Sequence, residues 1–310
     1  MNTQIFSIYL LPFTLAFITL GMGLSLTIRD FKNIFLQPKA VILGLVCQMI
    51  VLPVFALFIA QFSGLSDELK VGIVIIAACP GGAVSNLITH LLKGNVALSV
   101  SMTSVNSFIT IFTIPTIVSV ALHYFLGNSK EITMDFWDTF LRVLFITVIP
   151  CLVGVIIHHQ RKAFAESLER PLKVAMPVLL ALVMMGSIFI DKKENTVPIT
   201  LHEYLTVIVP CLILNFGGMF IGFFTSKVFG LRKKNQITIA IEVGLQNTGL
   251  AIFVAVSLLK NQHMAIPASV YALFTFFSAA AFGFIVNRKE IMKKNPKASK
   301  PAPETPKETV

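Results

Sequence analysis

The sequence predicts an all-α integral membrane protein with about nine transmembrane helices, and three observations carry that prediction. The 310 residues are 55% hydrophobic and only 13% charged, with a mean hydropathy of +0.81, against roughly 25% charged residues in an average soluble domain. Apolar runs of about 20 residues, each enough to cross a hydrocarbon core of roughly 30 Å as a helix, recur along the whole length. The charged residues collect between those runs. Barrel strands would show short alternating segments instead.

The runs fall at approximately 4–28, 39–61, 69–92, 95–126, 137–158, 171–190, 203–228, 236–260 and 264–287. Alternate loops and the tail carry 19 of the 25 Lys and Arg residues, among them Arg29, Lys93, Arg161, Lys173, Arg232 and Lys234. The opposite loops carry Lys70, Lys130, Lys192, Lys193 and Lys260, and Arg142 lies inside a span. This asymmetry predicts an external N-terminus and a cytoplasmic C-terminus.

The start, M-N-T-Q-I-F, has no Lys or Arg ahead of its apolar run and no A-x-A site, so the first span is expected to stay in the protein. Residues 291–310, rich in Pro and Lys, are expected to form a disordered cytoplasmic tail. The basic residues behind the net charge of +10 lie between the spans and in the tail, which argues against nucleic acid as a partner. Cys47, Cys79, Cys151 and Cys211 fall inside apolar runs and read as small buried hydrophobes.

Function is expected where polar groups enter the spans. An ionisable side chain at membrane depth costs about 2.5 to 3.5 kcal/mol on insertion scales, so each one present is a functional candidate. Glu242 lies in I-A-I-E-V-G-L-Q-N-T-G-L, with Gln246 one turn on and Asn247 beside it, and Gly244 and Gly249 weaken the helix there. In the third span, A-C-P-G-G-A-V-S-N, Pro80 removes a backbone donor while Gly81 and Gly82 allow backbone conformations closed to other residues. The helix restarting near Ser85 and Asn86 would point free N–H groups into a cavity.

Either break alone reads equally well as a proline kink or a helix-packing feature. Two interrupted spans in corresponding places of two halves point to a secondary transporter's binding site. Spans one to four align with six to nine, which sets the third against the eighth. The loop charges run those two in opposite directions, predicting inverted repeats and broken helices that cross near the midplane.

Gln48 sits within the second span, and Ser99 and Thr103 lie one turn apart on the fourth. Together with Ser85, Asn86 and Glu242 they offer hard oxygen ligands, suited to sodium and unsuited to zinc or copper. His158-His159 reads as a polar cap at a span end, and Asp138 with Arg142 as a snorkelling ion pair. No paired acids, Ser/Lys or Ser/His set, or metal cluster is evident at one depth. An enzyme is therefore not expected, nor an organic cofactor.

The stretches C-P-G-G-x-x-S-N, K-G-N-V-A-L-S-V-x-x-T-S and E-V-G-x-Q-N-x-G-L-A, with G-M-G-L-S-L near the start, resemble the bile acid:sodium symporter family over nearly the whole chain. The resemblance implies a transmembrane domain over 1–290. Its core would lie at approximately 39–126 and 203–287, and a smaller panel at approximately 4–28 and 137–190. One sodium site would comprise Ser85, Asn86, Ser99, Thr103 and Glu242. A second would use Gln48, Glu242 and Gln246 with the carbonyls of Val243 and Leu245. Ala83, Asn247 and Thr248 would face the substrate.

Ten-helix members carry an additional first span, and this chain begins at what looks like their second. Ala83 stands where similar bacterial sequences often have Thr, and Phe274-Thr275-Phe276 replaces a Trp-His-Asn-like stretch, which implies a more apolar pocket. The expectation is a monomeric symporter of a bacterial inner membrane, embedded in its lipids. It would import an organic anion, such as a bile salt, pantoate or a keto acid, with two Na⁺ by alternating access. Proton coupling through Glu242 and a non-transporting ligand sensor are the alternatives.

Overall fold

Helix starts and stops along the chain follow local chemistry. Thr200 and Glu203 form a reciprocal capping box at the head of one long helix, and Asn95 accepts from the Leu98 N–H at the head of another. The computed structural model describes residues 10–24, 26, 35–127, 136–165, 167, 168, 171, 178 and 200–294. Most of the sixth predicted span, 171–190, and most of the predicted tail lie outside the described residues.

Among the described residues the secondary structure is helical, with no strand. In chain order the helices are α1 (Leu11–Leu24), α2 (Pro38–Phe62), α3 (Asp67–Ala78), α4 (Ala83–Leu91) and α5 (Val96–Leu126). They continue with α6 (Trp137–Gln160), α7 (Leu201–Val228), α8 (Lys233–Gly244), α9 (Thr248–Leu258) and α10 (Ile266–Lys294). Five are long and apolar enough to cross a membrane: α2, α5, α6, α7 and the His263–Val286 stretch containing most of α10. The chain is an integral membrane protein.

Two single spans of the sequence reading are each two helices. The run 69–92 is α3 and α4, and the run 236–260 is α8 and α9. The last helix continues to Lys294, past the expected end at 287 and into the expected tail.

Proline placement explains two local distortions. The backbone widens into π-helical turns at Cys47–Val51 and Leu144–Val148, and Pro53 and Pro150 follow two residues after each. Proline has no N–H and crowds the preceding turn, so a wider turn accommodates it. Gln48 lies in the first of these turns and is thereby set toward the interior.

Packing turns on close backbone approach. A Cβ on Gly218 would lie 2.9 Å from the Val243 carbonyl oxygen, and one on Gly222 would lie 2.7 Å from that of Ile239, so α7 runs directly against α8. α1 meets α6 the same way, through Gly23 against Cys151 and Gly154 against Leu20. Small residues at such contacts are the usual device where lipid supplies no hydrophobic drive for helix pairing. On α7 the opposite face exposes Val209, Ile213, Phe216, Phe220 and Phe224, a helical stripe matched to lipid. Residues Val71–Ala78 of α3 and Ile237–Gly244 of α8 are buried throughout. The two helices leading into the breaks are therefore screened from hydrocarbon.

All four cysteines are free and buried. His158 Nδ1 lies 2.6 Å from the Leu24 carbonyl oxygen and ties α6 to the end of α1. Arg142 and Asp138 pair at 2.8 Å on the surface.

Candidate functional site

The break between α3 and α4 and the break between α8 and α9 meet. Pro80 and Gln246 pair as an isolated antiparallel bridge, and the Asn247 N–H donates to the Cys79 carbonyl at 2.9 Å. Unwound backbone inside a membrane must find partners within the protein, and these two segments find each other. Gly81 permits the approach, because a Cβ there would sit 2.4 Å from the Leu245 carbonyl oxygen.

Two expectations about the glycines are corrected. Gly81 does not adopt a positive φ, which among the described glycines occurs at Gly64, Gly127 and Gly230, while Gly82 takes φ −143° and ψ −135°, a pair outside the regions open to other residues. Gly81 is required for room and not for backbone freedom. Gly249 does not lie in the break, which spans Leu245, Gln246 and Asn247; it is in the first turn of α9. The Asn247 side chain accepts from the Leu250 N–H at 3.0 Å and so restarts that helix.

Glu242, on the last turn of α8, is fully buried. The Ser99 hydroxyl donates to one of its carboxyl oxygens, and the Thr103 hydroxyl lies 3.4 Å from the other. Asn86 Oδ1 lies 2.7 Å from Ser99 Oγ and 3.2 Å from Thr103 Oγ1, within reach of either hydroxyl. The Ser85 hydroxyl also faces the Glu242 carboxyl and donates to the Gly82 carbonyl at 2.8 Å. Ser85, Asn86, Ser99, Thr103 and Glu242 thus form one cluster drawn from α4, α5 and α8. No Lys or Arg contacts that carboxyl among the described residues.

The second group gathers on the other side of the α8 terminus. Gln48 Nε2 donates to the Glu242 carbonyl at 2.9 Å, and Gln246 Nε2 donates to the Val243 carbonyl at 2.7 Å. Gln246 Oε1 is buried and accepts no hydrogen bond among the described residues. That orphaned oxygen beside the buried helix-end carbonyls fits a hard cation, since an unsatisfied buried acceptor is otherwise costly. The Leu245 carbonyl points instead toward Gly81.

For the residues expected to face substrate, Ala83 opens α4, Thr248 opens α9 and is buried, and Asn247 caps α9. In the Phe274-Thr275-Phe276 stretch, the Thr275 hydroxyl donates to its own helix at Tyr271, Phe274 packs on the core and Phe276 is half exposed.

Three residues of this region escaped the sequence reading. Asn215 Nδ2 on α7 donates to the Gly244 carbonyl at 2.8 Å and reaches the Tyr271 hydroxyl at 3.0 Å. The Tyr271 hydroxyl itself donates to the same Gly244 carbonyl. Asn106 Nδ2 donates to Gln48 Oε1 at 2.7 Å and orients that amide. The signal was available: Asn215 and Asn106 are lone amides within long apolar runs, the same criterion that singles out Gln48.

Comparison with known proteins fits this geometry. The family model described as "Sodium Bile acid symporter family" matches residues 12–198. The chain belongs to that family. Relatives reach further along the sequence than the family model. A "Probable sodium/metabolite cotransporter BASS1, chloroplastic" of Oryza sativa subsp. japonica is 30% identical over 83% of this chain and 60% of its own length. An "Uncharacterized sodium-dependent transporter YocS" of Bacillus subtilis (strain 168) is 29% identical over 92% of this chain and 85% of its own. The "Ileal sodium/bile acid cotransporter" of Homo sapiens is 25% identical over 92% and 81%. The chain spans about 60% of the length of its chloroplastic relatives.

Proposed function

We propose that this protein is a sodium-coupled symporter that imports an organic anion. The observation that carries the proposal is the convergence of four oxygen-bearing side chains, Ser85, Asn86, Ser99 and Thr103 from α4 and α5, around a fully buried Glu242 of α8 at the point where two broken helices cross. A buried carboxylate must be neutralised by a cation or a proton, and the surrounding hydroxyl and amide oxygens suit a hard cation. Ser85, Asn86, Ser99, Thr103 and Glu242 would hold one Na⁺. Gln48, Glu242, Gln246 and the Val243 and Leu245 carbonyls would hold a second, with the Gln246 oxygen already free of partners and the Gln48 oxygen presented once the paired Gln48 and Asn106 amides turn together.

Sodium would act on the crossing itself. Its ligands come from α4, α5 and α8, so binding would pin both breaks and order the adjacent starts of α4 and α9. Those starts carry Ala83, Asn247 and Thr248, and two helix N-termini at one point favour a carboxylate or sulfonate. Sodium and substrate must then strengthen each other's binding equally, because linkage is reciprocal. Two Na⁺ moving with one monovalent anion carry net positive charge inward, so transport is electrogenic.

The substrate class extends from bile salts to small carboxylates such as pantoate or a keto acid, in line with the metabolite and bile acid cotransporters named among the relatives. Nine spans in inverted repeats, a core and a panel, an external N-terminus and residence in a bacterial inner membrane complete the proposal. The test is uptake of a panel of labelled organic acids into proteoliposomes, with sodium replaced by potassium at fixed pH. Uptake that stops in potassium supports sodium coupling. Uptake that persists in potassium but collapses with the pH gradient makes Glu242 a proton carrier and overturns the reading.

A further inference from the structure

Away from the crossing, three helix starts meet around a cleft of about 630 Å³. Its floor is an amide knot: Asn95 Nδ2 donates to Gln37 Oε1 at 2.9 Å and to Asn235 Oδ1 at 2.8 Å, and Asn235 Nδ2 reaches Gln37 Oε1 at 3.2 Å. The knot ties together the residues that open α2, α5 and α8. Its walls carry Lys39, Arg232 and Lys234, all exposed, and among the described residues no Asp or Glu lines the cleft. Neither α2 nor α8 has a side-chain cap, so their first-turn amides add positive potential on the same side as the three cations.

We propose that this cleft binds the phosphate of an anionic lipid headgroup. Three cations from two elements around one pre-tied cavity exceed what a single carboxylate needs and suit a phosphate, which offers several acceptor oxygens. The rim favours a lipid over a free ion. Phe35 is 83% exposed, Leu36 74% and Phe229 50%, which places hydrocarbon-compatible side chains beside the charges, at the arrangement a headgroup and its acyl chains would meet. The cleft lies about two helical turns before Glu242 on α8 and shares no residue with the proposed sodium sites, so the proposal stands whether or not the sodium reading does.

The experiment uses the full chain in neutral detergent and follows its melting temperature during titration with phosphatidylglycerol, phosphatidylcholine or inorganic phosphate. A saturable rise with phosphatidylglycerol alone is expected. Replacing Lys39, Arg232 and Lys234 together by Gln should weaken the apparent affinity roughly 100-fold, while the loop control Arg161→Gln with Lys162→Gln leaves it in place. If the triple variant is not monodisperse, the single exposed change Lys39→Glu is read instead and should also weaken the response. An unchanged phosphatidylglycerol response in the cleft variants overturns the site. A response to inorganic phosphate with none to phosphatidylglycerol overturns the lipid assignment.

Discussion

The two breaks that cross at Gln246 are built differently. The first carries its own instructions: Pro80 withholds a backbone donor, and Gly81 clears space for the Leu245 carbonyl. The second has no proline. Its helix ends at Gly244 because Asn215 and Tyr271, from α7 and α10, take the Gly244 carbonyl, and because Asn247 caps the helix that follows. One break is local in origin and the other is held by tertiary partners. A helix can therefore be interrupted at membrane depth by what it lacks or by what it touches, and the two cases respond to different substitutions.

The largest effect is expected at Glu242, whose side chain links the last turn before the second break to the helices that follow the first. Glu242→Gln keeps the size and most hydrogen bonds of the side chain but removes the charge, and should lower sodium-dependent uptake by at least about 100-fold, the scale of losing one charged interaction of about 3 kcal/mol. Reconstituted transport measures this, with circular dichroism confirming that the helices remain.

Next comes the first break. Gly81→Val would drive a side chain into the Leu245 carbonyl and should destabilise the protein by about 1 to 3 kcal/mol, typical of overpacking, read as a lower melting temperature in detergent. Relief of that loss by a second change near Leu245 would mark the contact as the cause.

The second break should yield more gently. Asn215→Ala removes one donor to the Gly244 carbonyl and leaves the Tyr271 hydroxyl in place, at a cost of about 1 to 3 kcal/mol; Tyr271→Phe should cost about 1 kcal/mol. Both should weaken the sodium response several-fold without abolishing it. A double variant that costs much more than the sum of the two would show that they act as one clamp. At the small end, Asp138→Asn breaks an exposed pair with Arg142 and should change stability by less than about 1 kcal/mol.

This contrast also explains what could be read from the sequence. The first break and its position were legible because Pro and Gly act locally. Glu242 and Gln48 were legible because polarity inside an apolar run is conspicuous. Gly249 was assigned to the second break because glycine spacing along one chain cannot tell a break from the first turn after it. Tyr271 was invisible, since a tyrosine in an apolar helix looks like packing until its hydroxyl is seen on the Gly244 carbonyl. Gly218 and Gly222 needed the facing backbone of α8 to gain a meaning. Spans were visible as apolar runs and the interruption of two of them as local signals, but the hydrogen bond that joins the two breaks, from Asn247 to Cys79, links residues more than 150 apart in sequence.

The most direct test of the central claim is binding of radiolabelled sodium to the purified protein, measured for the native chain and for Glu242→Gln with potassium as competitor. The account predicts saturable sodium binding that potassium does not displace and that Glu242→Gln abolishes. Sodium binding that survives Glu242→Gln, or that potassium displaces equally well, would contradict it.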